Sequence, residues 1–219
     1  MNKTALITGA SSGIGKEFAK IHAKTGGNLV IVARSKDKLL ALKEALEKEY
    51  KIHVSVIEKD LTEKDAAKEV FNFVKYSKIE IDYLINNAGF GGIGKFHERK
   101  LEEDLNMIQL NVVALTALTR LFLPTFVEKN SGKILNVSST ASLMAGPLQA
   151  VYFATKAYVT SFSNAIAEEL SETNVTVTTL MPGATETYFG KTSGMDKTSL
   201  FKNTADANTV AKDGYNAML

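Results

Sequence analysis

The residues Thr8-Gly9-Ala10-Ser11-Ser12-Gly13-Ile14-Gly15, set directly after the apolar run Thr4-Ala5-Leu6-Ile7, constrain this chain more than any other stretch. They read as a short buried strand, a glycine-rich turn and a helix that begins near Gly13. Such a turn aims backbone N–H groups and a helix N-terminus at one point, an arrangement suited to a phosphate or pyrophosphate. Gly9 can take the tight turn, a side chain at Gly13 would hold the phosphates off, and Gly15 lets the helix lie close to the strand. The spacing is G-x-x-x-G-x-G rather than G-x-G-x-x-G. It therefore meets the general dinucleotide fingerprint in mechanism and not in letter. Taken alone, the motif also fits a plain strand-to-helix turn.

The same alternation continues along the chain. Strands are expected at Lys3–Thr8, Asn28–Ala33, His53–Ile57, Tyr83–Asn86, Gly132–Val137 and Val175–Leu180. Helical patterns lie between them at Gly13–Thr25, Lys36–Tyr50, Glu63–Tyr76, Leu101–Val127 and Gln149–Ser171, with a further one around Asp206–Met218. This rhythm predicts an α/β fold with a parallel sheet and helices on both faces, and the nearly all-apolar strands agree. A chain of 219 residues fits one domain. The segment 188–203, mixing Gly, Ser, Thr and Lys with a few apolar residues, reads as a surface loop or a lid over a site.

Composition excludes several classes. The net charge is +2 with no long run of like charges, which gives no case for nucleic acid or an acidic membrane surface. There is no cysteine, hence no disulfide, thiolate catalysis or cysteine-bound metal. His22, His53 and His97 are scattered without metal-ligand spacing, so no metal site is expected. No signal peptide or transmembrane run is read, and the expected location is cytoplasmic.

In parallel sheets, ligands bind beyond the carboxyl ends of the strands. After the second strand stands Arg34, where an acidic residue would bond a ribose diol and Arg suits a 2′-phosphate; it is equally readable as a surface Arg at a helix start. After the third come Asp60-Leu61, which could also cap the next helix. After the fourth comes Asn86-Asn87-Ala88-Gly89, either a mere turn or a place where side-chain amides stitch neighbouring strands. After the fifth come Ser138-Ser139, followed thirteen residues beyond Ser139 by Tyr152, with Lys156 four further on. Tyr152 and Lys156 share one helix face. A charge about 4 Å away at an effective dielectric near 20 contributes roughly 4 kcal/mol, enough to lower a phenol pKa by up to about 3 units. Such a tyrosine can exchange a proton with a carbonyl or alcohol oxygen, and Ser139 can hydrogen-bond that same oxygen. An ordinary helical Tyr/Lys pair is the alternative. Asn111 sits among apolar residues and needs partners, either in solvent or on the backbone beside a site. After the sixth strand, the turn Pro182-Gly183-Ala184-Thr185-Glu186-Thr187 offers hydroxyl and backbone groups to a carboxamide.

With these motifs in this order, the chain resembles the short-chain dehydrogenase/reductase family from Asn2 to about Thr187. The resemblance implies a Rossmann-type doubly wound fold and hydride transfer between a nicotinamide cofactor and an alcohol or carbonyl. It makes Tyr152 the general acid/base and lets Ser139 orient the substrate oxygen. Lys156 would bond the nicotinamide ribose and lower the tyrosine pKa, and Asn111 would hold a water for a proton relay. Cofactor contacts are expected at Gly9, Ser11, Ser12, Gly13, Ile14, Gly15, Arg34, Asp60, Leu61, Asn87, Ala88, Gly89, Tyr152, Lys156, Pro182, Gly183, Thr185 and Thr187. Arg34 resembles the NADP-preferring branch, although Ser12 lacks the basic residue that some such members carry. Family members usually have a further strand after the last helix, absent from this sequence.

The expected protein is thus an NADP-dependent oxidoreductase on a small carbonyl or alcohol compound, self-associating as a dimer or tetramer. Two alternatives are a regulatory or scaffold protein that binds NADP without turnover and an epimerase- or dehydratase-type relative. Phe90, Phe96, Met144, Leu148, Tyr188, Phe189 and Met195 suggest a partly apolar substrate pocket.

Overall fold

Strands β1 (Thr4–Thr8), β2 (Asn28–Ala33), β3 (Val54–Glu58), β4 (Tyr83–Asn86), β5 (Gly132–Val137) and β6 (Val175–Leu180) form one sheet in the order β3-β2-β1-β4-β5-β6. Every pairing is parallel. This is the Rossmann order, in which the chain winds outward from β1 in one direction and then from β4 in the other. A crevice must open where those two directions part, at the carboxyl ends of β1 and β4. The computed structural model describes residues 3–187, 190, 193, 194 and 204–219. Most of the proposed lid 188–203, with Tyr188, Phe189 and Met195, lies outside the described residues.

Alternation along the strands builds two cores. Ala5 and Ile7 of β1 face α1 (Gly13–Lys24), α2 (Lys36–Tyr50) and the last helix, meeting Phe18, Ala19, Leu39 and Ala211. Leu6 and Leu84 point the other way, toward Val70 of α3 (Ala66–Tyr76) and Leu118 and Phe122 of α5 (Leu115–Glu128). Both faces are dry, as the unbroken apolar strands require. The terminal helix, here α7 (Ala207–Met218), is tied in by a buried pair. Tyr215 Oη lies 2.7 Å from His22 Nδ1, and His22 Nε2 lies 3.1 Å from the Lys3 carbonyl oxygen. Because a carbonyl only accepts, Nε2 carries the proton and Nδ1 accepts from the tyrosine.

Two helices depart from the sequence reading. The third was expected from Glu63 but begins at Ala66. Asp60 Oδ1 accepts from both the amide and the hydroxyl of Thr62, at 2.9 and 2.8 Å. Asp60 therefore closes a tight turn instead of capping the helix. The long helix expected over Leu101–Val127 is α4 (Leu101–Ile108) and α5 joined by a π-helical stretch, Gln109–Ala114. The Leu101–Glu128 stretch is also long and apolar enough, by length and composition, to cross a membrane, which the sequence reading did not recognise. Here Leu115, Leu118, Phe122 and Phe126 are spent on the core. The remaining element, α6 (Ala150–Glu169), begins two residues before Tyr152.

Candidate active site

The crevice between β1 and β4 opens into a cleft of about 790 Å³ that reaches from the glycine turn to Tyr152. Its glycine end is built on close approach. Gly9 has φ +68 and Gly13 φ +53, both in the region that disfavours side chains. A Cβ on Gly15 would come within 2.4 Å of the Gly9 carbonyl oxygen and of Asn87 Nδ2, so α1 can sit this close to the turn only with glycine there. Gly15 accordingly packs behind the turn and does not line the cleft. A Cβ on Gly13 would meet the Thr187 methyl at 3.0 Å, which sets Thr187 over the turn. Ser12, the N-cap of α1, makes no side-chain cap, and no acidic residue stands in the first helical turn. The positive end of α1 is thus left for an outside anion.

Asparagine amides hold the crevice in shape, as one reading of the Asn-Asn-Ala-Gly turn required. Asn87 Nδ2 donates to the Thr8 carbonyl at 2.9 Å, while the Asn87 and Ala88 amides both donate to Thr8 Oγ1 at 3.0 Å. Asn86 Nδ2 donates to Asn136 Oδ1 at 2.9 Å and to Thr119 Oγ1 at 3.0 Å, joining β4 to β5 and α5. The turn is therefore a clamp across three strands.

At the mouth beside β2 and β3, Arg34 is exposed, with Nη1 3.7 Å from Asp60 Oδ2. Lys38 and Lys59 line the same end, and neither was singled out from the sequence. Their positions, one on the first turn of α2 and one just past β3, could have been flagged by the strand-end rule. Lys59 pairs with Glu69 at 2.7 Å and Glu63 at 3.3 Å.

At the other end, Ser139, Tyr152 and Lys156 converge. Ser139 Oγ accepts from the Ala141 amide at 3.1 Å and shares a hydrogen bond with the Tyr152 phenol. Ser138, in contrast, looks away: its hydroxyl donates to the Lys156 carbonyl at 2.9 Å. Lys156 is 5% exposed, and its ammonium donates to the Val137 carbonyl at 2.9 Å. That Nζ lies 5.9 Å from the centre of the Tyr152 ring. Burial, partly offset by the Ser139 bond, holds the Tyr152 phenol above the usual tyrosine value. The expectation that Lys156 lowers it is not met: burial raises it, and the Lys156 ammonium turns to the Val137 carbonyl. The same burial brings Lys156 down to about 8.

Asn111 takes the backbone-bonded alternative of its two readings. It stands in the π-helical stretch, 1% exposed, and does not border the cleft. Its Nδ2 donates to the Phe90 carbonyl at 2.9 Å and to Thr155 Oγ1 at 3.1 Å, and its Oδ1 accepts from the Phe90 amide at 3.1 Å. Its side chain thus fixes the loop after β4. Ser11, Ile14, Leu61, Gly89, Pro182, Gly183 and Thr185 all line the cleft. Thr185 is held by its hydroxyl on the Gly183 carbonyl at 3.0 Å and by a parallel bridge to Ala205. Of the expected apolar residues, Phe90 and Met144 border the cleft, whereas Phe96 lines a separate small cavity. Gln149, Phe153 and Leu110 border the cleft without having been anticipated.

A crevice with a glycine turn at one end and a serine, a tyrosine and a lysine at the other is set at the switch point of a Rossmann sheet, and comparison with known proteins specifies the class. The model of the short chain dehydrogenase family matches residues 3–198. The NADP-dependent 3-hydroxy acid dehydrogenase of Schizosaccharomyces pombe is 35% identical over 85% of the chain and 73% of its own length. The very-long-chain 3-oxoacyl-CoA reductase of Mus musculus is 33% identical over 94% of the chain and 66% of its own length. A short-chain dehydrogenase from Sphingobium yanoikuyae, solved in complex with NADPH, superposes with a TM-score of 0.91 at 32% identity, covering 98% of this chain and 84% of that one. This chain belongs to the short-chain dehydrogenase/reductase family. It spans 54–73% of the length of these and other curated relatives.

The depressed lysine carries a stability cost. A drop from 10.5 to about 8 corresponds to about 3 kcal/mol against the charged form in the fold. Lys156→Met removes that cost and loses the bond to Val137, worth about 1 kcal/mol. The variant should therefore melt about 4–8 °C higher at pH 7. The unfolded chain holds the proton up to its ordinary pKa and the folded one only to about 8. Wild-type stability thus rises between those values, and the gap should shrink as pH is raised through that window. Calorimetry at pH 7 and pH 10 checks both; a variant that melts lower at pH 7 contradicts the account.

Proposed function

We propose that this chain is an NADP-dependent oxidoreductase that moves a hydride between the nicotinamide and a carbonyl or alcohol substrate. The observation that carries this reading is the convergence of Ser139, Tyr152 and Lys156 at one end of a cleft whose other end is the glycine turn. The residues present fit the cofactor: the uncapped N-terminus of α1 suits a pyrophosphate. Gly183 borders the cleft at a point where an added Cβ would meet no protein atom within 4 Å. Gly9, Ser12, Gly13 and Asn87 would hold the phosphate end, Thr185 and Thr187 the carboxamide, and Lys156 the nicotinamide ribose. A bound NADPH would supply the hydride. Ser139 Oγ orients the substrate oxygen, and Tyr152 gives its phenolic proton to that oxygen as the carbonyl becomes an alcohol. Retention of both Tyr152 and Lys156 supports turnover over a silent binding role.

NADPH is preferred over NADH because Arg34, with Lys38 and Lys59 beside it, faces a 2′-phosphate. The competing contact to Asp60 at 3.7 Å is solvent-exposed and contributes at most about 1 kcal/mol. A charge-assisted bond to the phosphate contributes about 1.5–3 kcal/mol, so kcat/KM should favour NADPH by roughly ten- to hundred-fold. Equal or better use of NADH by the wild type would refute the assignment.

The expected self-association finds support in exposed apolar side chains on α4, on the π-helical stretch and on α6, namely Leu101, Leu105, Val113 and Tyr158. Sedimentation at micromolar concentration should give a dimer or tetramer, and a monomer there would remove this proposal.

Tyr152→Phe removes one oxygen and keeps the ring. The fold and NADPH affinity should survive while turnover of a ketone panel falls by at least about a hundred-fold. Near-normal turnover in that variant would show that the proton comes from elsewhere.

A further inference from the structure

Gln149 has a buried polar group that the reaction as described leaves unused. The residue is 7% exposed, and its amide oxygen is buried without a hydrogen-bond partner among the described residues. Buried side-chain oxygens are nearly always matched, so an unmatched one asks for a reason. The residue before it adds a second cost: Leu148 has φ +66, a left-handed conformation that a branched apolar side chain rarely adopts. Both lie immediately ahead of α6, and Tyr152 is three residues past Gln149.

Gln149 is held in place from behind. The Leu148 carbonyl accepts from the Gly94 amide at 2.8 Å. The loop bearing Gly94 is anchored in turn by Arg99, which donates from Nε to Asp104 at 2.8 Å and from Nη1 to the Ile93 carbonyl at 3.1 Å. On that side Gln149 and Arg99 border a cavity of only about 10 Å³, room for one water at most. On the other side Gln149 borders the main cleft, on the wall that also carries Phe153 and Met144. Beside this residue, only the cleft has room for a partner larger than water.

We infer that Gln149 is a specificity-determining residue: its side-chain amide bonds a second polar group of the substrate, a hydroxyl a few atoms from the reacting carbonyl. A hydroxyl donates to the amide oxygen and equally accepts from the amide nitrogen, so it matches either orientation of the group. Phe90, Met144 and Phe153 suit the remaining carbon skeleton. The substrate class is therefore an apolar ketone that carries a hydroxyl, an inference that rests on the carbonyl–alcohol oxidoreductase reading.

The test compares 2-hydroxyacetophenone with acetophenone, using the full chain and NADPH, in wild type, Gln149→Leu and Gln149→Glu. The readout is the ratio of the two kcat/KM values and its change on mutation, which cancels the intrinsic reactivity of each ketone. Wild type should favour the hydroxy ketone, and Gln149→Leu should lower the ratio by at least about tenfold with NADPH affinity unaltered in a fluorescence titration. Gln149→Glu, which keeps an acceptor, should retain most of the preference. If Gln149→Leu leaves the ratio unchanged, including when both rates fall together, Gln149 has a structural role and the inference is overturned. If Gln149→Leu loses NADPH binding and hence its fold, the other two proteins decide: retained preference in both supports the inference, and a wild-type ratio of one overturns it. Activity on both ketones at that ratio defeats this inference alone. A wild type that oxidises NADPH with neither ketone, nor with any of a wider carbonyl panel, defeats the oxidoreductase reading and this inference with it.

Discussion

The contact on which the rest depends is the approach of α1 to its own turn. Gly15 lets the helix come so near that any side chain there would strike the Gly9 carbonyl and Asn87. Once α1 is seated, its N-terminus points into the gap between β1 and β4, and Asn87 can reach back to the Thr8 carbonyl to keep that gap from closing or spreading. The crevice is thus a consequence of sheet topology, but its width and its electrostatic sign come from three glycines, one asparagine and an uncapped helix end.

The far end of the cleft follows a different principle. Lys156 is placed in a dry position and held by one backbone carbonyl, which lowers its pKa and costs stability. The phenol beside it is pushed the opposite way by the same dryness. Burial thus drives an amine and a phenol apart in proton affinity without requiring a direct bond between them. Stability given up at a reaction centre is a common trade, and the surrounding structure can bear it because two separate apolar cores flank the sheet.

Most of the architecture was readable because it is local. Strand bounds agree to within a residue, since apolar runs of four to six residues bounded by turns leave little choice. Where the reading failed, a local rule met a competitor. Asp60 was weighed as a helix cap, but Thr62 lies two residues away and offers both an amide and a hydroxyl, so the tight turn won. The stretch Gln109–Ala114 carries an ordinary helical pattern, and nothing in its letters announces the wider π-helical turn. That turn accompanies the bonds of Asn111 to Phe90 and Thr155, partners 21 and 44 residues away.

Sequence alone determined the α/β class, the glycine turn, and the identity of Ser139, Tyr152 and Lys156 as residues that belong together. Each of these rests on spacing within a few residues or on the rule that sites form at strand ends. Only the tertiary structure decided what those groups experience. The distance between a lysine and a tyrosine at i and i+4 is set by the helix, but the direction of the ammonium is set by Val137 on a strand. Whether a charge lowers a phenol's pKa or burial raises it depends on how many atoms of other elements surround both. Likewise Gln149 is one polar letter among many in the sequence; its significance arises from being enclosed between a cleft and a loop held by Arg99, without a partner of its own. Burial is a sum over neighbours distant in sequence, and no local pattern encodes it.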